Sequence, residues 1–515
     1  MELIFVLACV TSVVASIYYY LKCQYNFWQK QGIPYARGII PGLGNMTYVV
    51  LLRQSFNKLC ENYYKENEKH SMFGFYQFST PTLLVRDPEL VKSVLLTNFA
   101  SFQENQISIS CPKEDALFTI NPFFSKMDTW KENRAPLTNA FSSKKLKTML
   151  PLIEEASSRM ENYIKQKMSH EREKLELNFK TFFNLYTGEI AAAGMGIQGH
   201  NFDDDSISLK SELTFKTAIE TVFSAPFFTG GFSQIILMFM PRLAKILNMT
   251  LLPKEVDLFY RQSVKNILAN RKRDNRSNND FLKMIVDHQL ANGLKINEET
   301  ALASHMLSFS VEVYETSAIT LSFLCFQLAS HPEIQERVRE EIKSLLEKYD
   351  GKLNYEAYKE MTYLDQVLNE SMRLNHVSGI MTKVCTREIQ LVGSDGLSCK
   401  VKPGHVAVIS TFGLQMDPKY WPEPEKFDPD RFGDEKKEKI HKFTFIPFGE
   451  GPRICVGMRM ANIIIKIAVA TIVKNYSLEV SPKTPLPLKR DEASFMTAYE
   501  NGLWVFLKPL KHKSS

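Results

Sequence analysis

The sequence predicts a mainly helical α+β body with small β-sheets, preceded by an N-terminal transmembrane anchor helix. Three observations lead to this fold class. The run from Leu3 to Leu21 carries no charged residue and has the length that a helix needs to cross a bilayer. From about residue 50 to residue 380, apolar residues recur mainly at helical spacing. Only short stretches of strand character interrupt or follow them.

The anchor is assigned to residues 1–22. Glu2 is a poor substitute for the basic start of a signal peptide, and only Val13-Val14-Ala15 resembles a cleavage site, so an uncleaved anchor is favoured over a removed leader. The first charges after the apolar run are Lys22 and Lys30. By the positive-inside rule, we expect the rest of the chain to lie in the cytosol.

Residues 23–48 are predicted to form a stiff hinge, and residues 49–515 the catalytic body. The hinge is basic and contains Gly32-Ile33-Pro34 and the Pro41-Gly42 pair, residues that fix or end regular structure. Within the body we expect a helix at Ser330–Glu347, strands around Phe75–Val85, broken near Pro81, and at Val401–Ile409, an ordered irregular segment at Asp417–Glu450, and a final helix from Arg459 to about Asn475.

The stretch Val222–Leu252 is unusually apolar, but Gly230 and Gly231 interrupt it, so it is too broken for a second span. A buried core segment is one interpretation. The other is an amphipathic surface element that dips into the membrane near a lipophilic entrance.

Composition excludes several functional classes. The chain has 63 basic and 57 acidic residues, and a net charge of +6 over 515 residues gives no indication of nucleic acid binding. Its eight cysteines occur singly, without the paired spacing of a disulfide framework or a zinc site. Two local basic runs stand out as docking surface for an acidic partner or anionic lipid, with solvated surface lysines as the alternative: Lys144, Lys145 and Lys147, and Lys436, Lys437, Lys439 and Lys442.

The densest chemical signal is the run Phe448-Gly449-Glu450-Gly451-Pro452-Arg453-Ile454-Cys455-Val456-Gly457. Its glycines allow a backbone loop to approach a flat cofactor closely, Cys455 offers a thiolate, and Arg453 offers a charge-assisted partner for an anionic group. A lone cysteine is usually inert packing, but these neighbours reverse that expectation. A phosphate loop is excluded because the Gly-Lys-Ser/Thr order is absent.

This decapeptide resembles, at every fixed position, the haem-binding loop of the cytochrome P450 enzymes, and the resemblance extends from the anchor to the end of the chain. It is closest to the insect microsomal members associated with xenobiotic and hormone metabolism. The resemblance implies the mainly helical fold of that family, haem b as cofactor and Cys455 as the iron ligand. It also implies that Phe448, Arg453 and Gly457 belong to the cofactor-binding loop.

Two further motifs support the resemblance. Glu370 and Arg373 match the family's Glu-x-x-Arg helix motif, and Arg431 in the following Pro-aromatic segment supplies the third member of an implied structural ion triad. Trp130 and Arg134 match the Trp-x-x-x-Arg pattern, whose indole and guanidinium are implied to bind haem propionates. Lys383 stands where relatives often carry another arginine, and a lysine keeps the charge but loses the bidentate fork.

The oxygen-activating helix departs from the family pattern. Relatives read Ala-Gly-x-Glu/Asp-Thr-Thr/Ser, whereas this chain reads Glu312-Val313-Tyr314-Glu315-Thr316-Ser317. Glu315 and Thr316, the acid and alcohol that the resemblance implies as catalytic proton donors, are retained. Glu312 and Val313 add a charge and a β-branched side chain beside the oxygen site. His376, where relatives carry proline, is interpreted as structural rather than as a second ligand.

The departure leaves two interpretations open. In one, the helix shifts slightly and the chain is a monooxygenase that inserts one atom of O2 into small lipophilic substrates. In the other, it is catalytically impaired or not a monooxygenase, and acts as an isomerase-type catalyst or a haem-binding sensor or sink. The substrate-facing candidates, carried over by position, are Phe309, Ser310, Glu312, Val313 and the loop Ile107–Phe123. Their apolar bulk and single acid allow a lipophilic or amine-bearing substrate without naming one.

The expected partners follow from the same resemblance. No flavin or nicotinamide motif lies in the chain, so we expect electrons from a membrane-bound NADPH-dependent reductase, with cytochrome b5 as a further candidate partner. The expected location is the endoplasmic reticulum membrane, with the catalytic body facing the cytosol.

Overall fold

The computed structural model describes residues 2–170, 173–197, 199, 202, 213–274, 280–291, 299–492 and 494–510. The first helices are α1 Glu2–Gln24, α2 Phe27–Gln31, α3 Thr47–Val50, α4 Phe56–Glu66, α5 Pro88–Lys92, α6 Gln106–Ser110, α7 Ala116–Ile120, α8 Met127–Ala140, α9 Ser143–His170, α10 Phe179–Met195, α11 Phe215–Ser224 and α12 Pro226–Thr229. The later helices are α13 Gly231–Phe239, α14 Pro241–Ile246, α15 Lys254–Asp274, α16 Phe281–Ala291, α17 Glu299–Ser330, α18 Pro332–Lys348, α19 Tyr355–Glu360, α20 Thr362–Leu374, α21 Thr411–Gln415, α22 Asp434–Lys437 and α23 Met458–Val473.

The strands are β1 Met72–Gln77, β2 Thr80–Val85, β3 Glu104–Asn105, β4 Leu175–Asn178, β5 Ile380–Val384, β6 Ile389–Val392, β7 Ser398–Val401, β8 Val406–Ser410, β9 Tyr476–Val480 and β10 Trp504–Pro509. Short π or 3-10 turns occupy Ser93–Thr97, Phe99–Ser101, Pro429–Phe432, Lys442–Thr444 and Gly451–Arg453. The prediction of a mainly helical protein with small sheets is confirmed. Helices α18 and α23 lie within two residues of their predicted bounds.

Helix α1 is long and apolar enough to cross a membrane, and those of its side chains that the structure describes are exposed. The segment after it does not stand apart from the body. Trp28 is fully buried and its indole N–H donates to the Phe75 carbonyl at 2.9 Å. Gly74 of β1 lies against the Trp28 ring, which occupies the space that a Cβ would need. Residues 25–46 therefore pack onto strand β1. The division into residues 1–22, 23–48 and 49–515 stays a prediction.

The largest sheet has the strand order β1-β2-β8-β5-β3, with β2 and β8 parallel and the other pairs antiparallel. The predicted break near Pro81 is wrong in position, because the chain turns at Phe78, whose φ is 53°, and Pro81 lies inside β2 opposite Tyr76. The pairing of β2 with β8 begins only at Thr82, so the missing N–H of Pro81 removes no bond from that ladder.

The strand expected at Val401–Ile409 is two strands. β7 ends at Val401 and β8 starts at Val406, and the turn between them contains Pro403 and Gly404, whose φ is 89°. Proline and a glycine of positive φ end one strand and reverse the chain. β7 pairs only with β6, and the remaining sheet, β4-β10-β9, brings the C-terminal strand beside the start of α10.

Helix α17 is the central element of the helical body. It has 32 residues, nearly all buried, and it packs against α10, α15, α20 and α23. A helix that is apolar on every side needs neighbours on every side, as here. Polar residues at buried positions of α17 therefore indicate a role other than packing.

The apolar stretch Val222–Leu252 folds as the end of α11 followed by α12, α13 and α14. One side contributes Phe227, Leu237 and Leu251 to the core. The other side leaves Phe232 at 60% and Ile246 at 75% exposure. The segment thus supplies both core contacts and an exposed apolar surface.

Candidate active site

The middle of α17 is shaped by backbone contacts from threonine hydroxyls. Thr316 Oγ1 donates to the Glu312 carbonyl at 2.5 Å, and Thr187 Oγ1 of α10 donates to the Tyr314 carbonyl at 2.7 Å. Such hydroxyl contacts to helix carbonyls bend a helix locally. Val313, predicted to be substrate-facing, is buried here.

Glu315 forms an ion pair with the first turn of α10. Its Oε2 lies 2.8 Å from Lys180 Nζ, and the two side chains are 14% and 31% exposed. Lys180 also donates to Asn184 Oδ1 at 3.3 Å. The carboxylate is therefore held between the interior and solvent, an arrangement suited to proton transfer.

Glu312 is half-buried, and its side chain contacts the end of α7. Asn121 Nδ2, at the end of α7, donates to Glu312 Oε1 at 3.3 Å. Burial raises the pKa of Glu312 to about 7, while the Asn121 contact and the charge of Arg134 act in the opposite direction. The charge of Glu312 in turn contributes to the raised pKa of Cys455, so the carboxyl lies within electrostatic range of the thiol.

Two of the predicted substrate-facing residues, Phe309 and Ser310, contact neighbouring helices. The Phe309 ring stacks on Phe281 with centroids 4.2 Å apart. Ser310 Oγ donates to the Met306 carbonyl at 2.7 Å and contacts Met195 Sδ at 2.8 Å. Both residues thus serve the packing of α17 against its helical neighbours. The prediction took nearly consecutive positions, whereas a helix presents positions three and four apart on one face.

The loop Ile107–Phe123 contacts both α17 and the apolar segment. Ser304 Oγ of α17 donates to the Leu117 carbonyl at 2.6 Å, and Ser110 Oγ donates to the Met238 carbonyl at 2.8 Å. Asp115 accepts the Leu251 and Leu252 amides at 2.7 and 3.2 Å. This loop therefore has a fixed position beside Glu312.

The cysteine loop owes its shape to glycines. Gly451 has a φ of 77°, and a Cβ at that position would collide with the Leu95 carbonyl. The Cys455 amide donates to the Phe448 carbonyl at 2.9 Å, which closes the loop. Gly457 precedes α23, and the Gly457 and Met458 amides point to the Cys455 sulfur and lower its pKa.

Cys455 differs from the other cysteines of the body. Cys60, Cys111, Cys325, Cys385 and Cys399 are buried, whereas Cys455 has an exposed side chain. Burial and then the charge of Glu312 raise the pKa of the Cys455 thiol to about 11. Burial raises the pKa of Cys385 to about 11 as well, so Cys455 is distinguished by its exposed position in the glycine loop and not by its pKa.

Three cations lie near this loop. The Trp130 ring has the Arg453 guanidinium 4.8 Å and the Arg134 guanidinium 5.5 Å from its centre. Lys383 Nζ donates to Asn105 Oδ1 at 2.7 Å, and its pKa is lowered to about 7 by burial and then by the charge of Arg453. Burial likewise lowers the pKa of Arg453 to about 10 despite the nearby Glu104 carboxylate. The cluster has an excess of positive charge.

The predicted ion triad is present. Arg373 Nε and a terminal nitrogen each donate to a different oxygen of Glu370 at 2.8 Å, and both side chains are fully buried. Arg431 Nε lies 3.3 Å from Glu370 Oε1 without hydrogen-bond geometry. Arg373 also donates to the Gln415 carbonyl at 2.9 Å and to the Lys426 carbonyl at 3.2 Å, so the triad connects α20 to α21 and to the irregular segment before the cysteine loop.

Comparison with known proteins identifies the family. The sequence model described as Cytochrome P450 matches residues 38–506. The chain belongs to the cytochrome P450 family. Its relatives include Cytochrome P450 9e2 of Blattella germanica, 31% identical with 94% of each chain covered. Cytochrome P450 6B1 of Papilio polyxenes is 30% identical over 98% of this chain and 99% of its own, and Cytochrome P450 3A12 of Canis lupus familiaris is 30% identical over 92% and 90%.

Enzymes of the P450 family are monooxygenases that use iron protoporphyrin IX, and the residues of this P450 fit that group. The exposed thiol of Cys455 is open to an iron ion, which would displace its proton. The excess positive charge of Arg134, Arg453 and Lys383 suits the two propionates of haem, and the buried Arg453 Nε has no hydrogen-bond partner among the described residues. The loop glycines leave room for a flat ring.

Sequence reasoning missed several residues of this P450 site. Lys180 lies 135 positions from Glu315, and no local pattern connects them. Asn121 lies inside the predicted loop but was not distinguished from its neighbours. Glu104 carries no motif, although it lies 3.8 Å from Arg453. His376 is buried with a pKa lowered to about 4 by desolvation, and its Nδ1 accepts the Ser378 amide at 3.0 Å, which agrees with its structural interpretation.

Proposed function

We propose that this P450 inserts one oxygen atom of O2 into small lipophilic molecules, with Cys455 as the iron ligand. The observation that carries the proposal is the exposed Cys455 thiol in its glycine loop, where Arg134 donates to the neighbouring Ile454 carbonyl and shares the Trp130 ring with Arg453. When bound, the haem supplies the redox chemistry that activates dioxygen. Trp130, Arg134, Lys383 and Arg453 would hold its propionates, and Phe448 and Gly457 shape the loop around Cys455.

Glu315 and Thr316 are the proposed catalytic residues. The Glu315 carboxylate is held by Lys180 near the solvent side of α17, and the Thr316 hydroxyl lies one turn from Glu312. Together they hold and move protons between solvent and the reacting oxygen. Tight coupling of NADPH consumption to product formation depends on both.

The test is the reduced carbon monoxide difference spectrum, followed in the same preparation by NADPH consumption with added reductase. A thiolate-type Soret band with substrate-dependent consumption supports the proposal. Cys455→His keeps a metal-binding side chain but should abolish the thiolate band. A wild-type protein without that band, or a Cys455→His variant that retains it, would contradict the assignment of Cys455.

The proposed substrates are small lipophilic molecules, either xenobiotics such as insecticides or hormones and lipids. Support comes from apolar side chains of the loop beside α17 that keep accessible surface, Ile109 at 40% and Phe123 at 49% exposure. Conversion of a panel of both classes, measured as product per NADPH consumed, distinguishes them.

We further propose that electrons arrive from NADPH through a membrane-bound reductase, with cytochrome b5 as a possible second donor, at the surface beside the cysteine loop. Lys442 pairs with Glu450 of that loop at 3.1 Å. Arg459 of α23 donates to Ser143 Oγ at 3.1 Å, next to Lys144. Both basic runs therefore border the loop that carries Cys455, and together they form a cationic surface for an acidic partner.

Charge reversal tests this docking surface. Lys437→Glu and Lys439→Glu remove exposed lysines for which no ion pair occurs among the described residues. The reduction rate should fall, and the fall should shrink as salt rises, with an unchanged haem spectrum. Equal reduction rates at several salt concentrations would reject the surface.

We propose that α1 anchors the protein in the endoplasmic reticulum membrane with the body in the cytosol, and that the exposed side of the Val222–Leu252 segment touches the same bilayer. Support comes from the exposed apolar length of α1 and from Phe232, Leu243, Ile246 and Leu247, all exposed. Protease protection of intact microsomes tests the orientation, because the proposed topology leaves the whole body digestible.

A second candidate function is a catalytically impaired or non-monooxygenase haem-thiolate protein, either isomerase-type or a sensor or sink. The observation that favours it is the pair Glu312 and Val313 on α17, which place a carboxyl and a β-branched side chain where relatives have alanine and glycine. Turnover that rises in Glu312→Ala, Val313→Gly would support impairment. Turnover of the natural chain that equals or exceeds that of the variant would exclude it.

A further inference from the structure

The carboxyl of Glu312 lacks the close cation partner that several other acids of the body have, and the charge of Arg134 acts on it without an ion pair. Cation partners occur for Glu61 with Lys65, Glu189 with Arg159, Asp280 with Arg271, Glu315 with Lys180 and Glu370 with Arg373. Asp115 instead accepts two backbone amides. Among the described residues, Glu312 has one neutral donor, Asn121, and no ion pair with a lysine or arginine.

The Asn121 amide is held in one orientation. Its Oδ1 accepts the Phe123 amide at 2.7 Å, which leaves Nδ2 to donate to Glu312 Oε1 at 3.3 Å. Asn121 is only 2% exposed, so water does not compete for this contact. The amide fixes one oxygen of the carboxylate and cannot neutralise its charge.

The second oxygen of Glu312 remains available. No hydrogen bond to Oε2 occurs among the described residues, and Thr316 engages the backbone carbonyl of Glu312 rather than its carboxylate. Apolar side chains of this loop keep accessible surface, with Ile109 at 40% and Phe123 at 49% exposure. Glu312 is half-buried, and a carboxylate beside apolar side chains is stabilised by a cation that brings its own hydrogen-bond donor.

We propose that Glu312, positioned by Asn121, is the specificity residue for lipophilic substrates that carry a protonated amine. The ammonium N–H donates to Glu312 Oε2, and the apolar remainder of the ligand packs along the loop Ile107–Phe123. Because Glu312 lies one turn before Thr316 on α17, the amine contact fixes which part of the ligand lies near that proposed catalytic residue. This inference rests on the proposed monooxygenase function and assigns its substrate class.

The experiment compares two probes of equal shape on the full-length ferric holoprotein. One is N,N-dimethyl-4-phenylbutylamine, protonated at neutral pH, and the other is (5-methylhexyl)benzene, which has CH in place of nitrogen. Dissociation constants come from equilibrium dialysis, which reads binding rather than turnover. A charge-assisted hydrogen bond in a desolvated site predicts that the natural chain prefers the amine by about 10- to 100-fold.

Glu312→Gln keeps the size of the side chain and removes its charge. It should abolish the preference for the amine and leave the hydrocarbon affinity within about two-fold. Glu114→Gln, an exposed acid in the same loop, changes the net charge equally and should leave both affinities as they were. If Glu312→Gln does not bind haem, Glu312→Ala, which has the residue of the family pattern, gives the same comparison.

Two results would overturn the inference: no preference for the amine in the natural chain, or an equal preference in Glu312→Gln. A failure of the proposed function looks different, because it removes the thiolate carbon monoxide band or the NADPH-dependent conversion of the hydrocarbon probe. Retained band and conversion without an amine preference would reject only the role of Glu312.

Discussion

Substituting Glu370→Gln removes the charge at the centre of the ion triad without changing the shape of the side chain. Glu370 accepts two N–H groups of Arg373 at 2.8 Å and the Asp428 amide at 3.0 Å. Glutamine offers one acceptor, and its NH2 group faces a guanidinium donor. Because Arg373 is fully buried, its charge is then uncompensated, and the expected loss of unfolding free energy is about 3–5 kcal/mol.

Arg431→Leu should cost less, although the family motif treats the three residues alike. Arg431 is 11% exposed, lies 3.3 Å from Glu370 Oε1 without hydrogen-bond geometry, and donates to the Glu423 carbonyl at 2.8 Å. Its removal leaves the bidentate pair intact, so about 1–2 kcal/mol is expected. Arg337→Ala, which removes a half-exposed pair with Asp430, serves as the control and should cost under about 1 kcal/mol.

The assay is urea unfolding of the holoprotein, followed by far-ultraviolet circular dichroism and by the Soret band. The urea concentration at the unfolding midpoint should decrease in the order natural chain, Arg337→Ala, Arg431→Leu, Glu370→Gln. The dependence of the unfolding free energy on urea concentration should be similar in all four. An Arg431→Leu variant as unstable as Glu370→Gln would refute the distinction drawn from geometry. So would a large loss in the surface control.

Three other perturbations are expected to separate the roles of the polar residues. Lys180→Met removes the ion pair of Glu315 and should raise NADPH consumption per product by about 10-fold, with an unchanged carbon monoxide spectrum; unchanged coupling would contradict the proton role. Arg453→Ala should speed haem loss to a scavenger protein by about 10-fold or more, whereas Arg459→Ala, an exposed position, should not. Burial raises the folded pKa of Asp115 to about 6, so its contribution to stability is present below its unfolded pKa and is lost as pH rises to about 6. Asp115→Asn should remove about 2–3 kcal/mol of that pH dependence, and parallel stability curves of the two proteins would rule the effect out.

Local patterns in the sequence were enough for the elements and motifs whose physics is local. Helix α23, the cysteine loop and the Glu370–Arg373 pair lie where they were predicted, because helical periodicity, glycine turns and three-residue spacing act over a few residues. The Pro81 error has a non-local cause. A proline is tolerated inside β2 because the neighbouring β8 begins pairing one residue later, and no window around Pro81 contains that information.

The residues of the candidate site also divide into those with a local motif and those that act from distant elements. Cys455, Trp130 and Arg453 were predicted from their motifs, and the structure brings Trp130 and Arg453 together. Lys180 and Asn121 were not predicted, because each acts on α17 from an element far away in sequence. Phe309 and Ser310 pack against neighbouring helices, which local sequence does not indicate, since a face of α17 recurs every three to four residues.

The contacts of Asn121 explain how α17 accommodates a carboxyl where relatives have alanine. A carboxyl in place of alanine would be a costly intrusion if it were unsupported, because burial of an unpaired charge destabilises a fold. Here Asn121 supplies a fixed donor, and the Phe123 amide fixes Asn121 in turn. Two residues of the loop are thus arranged around Glu312, which is expected of a binding group and not of an accumulated defect. Impairment predicts that Asn121→Leu leaves turnover unchanged or raises it, whereas a recognition role predicts that it weakens discrimination between the amine and the hydrocarbon.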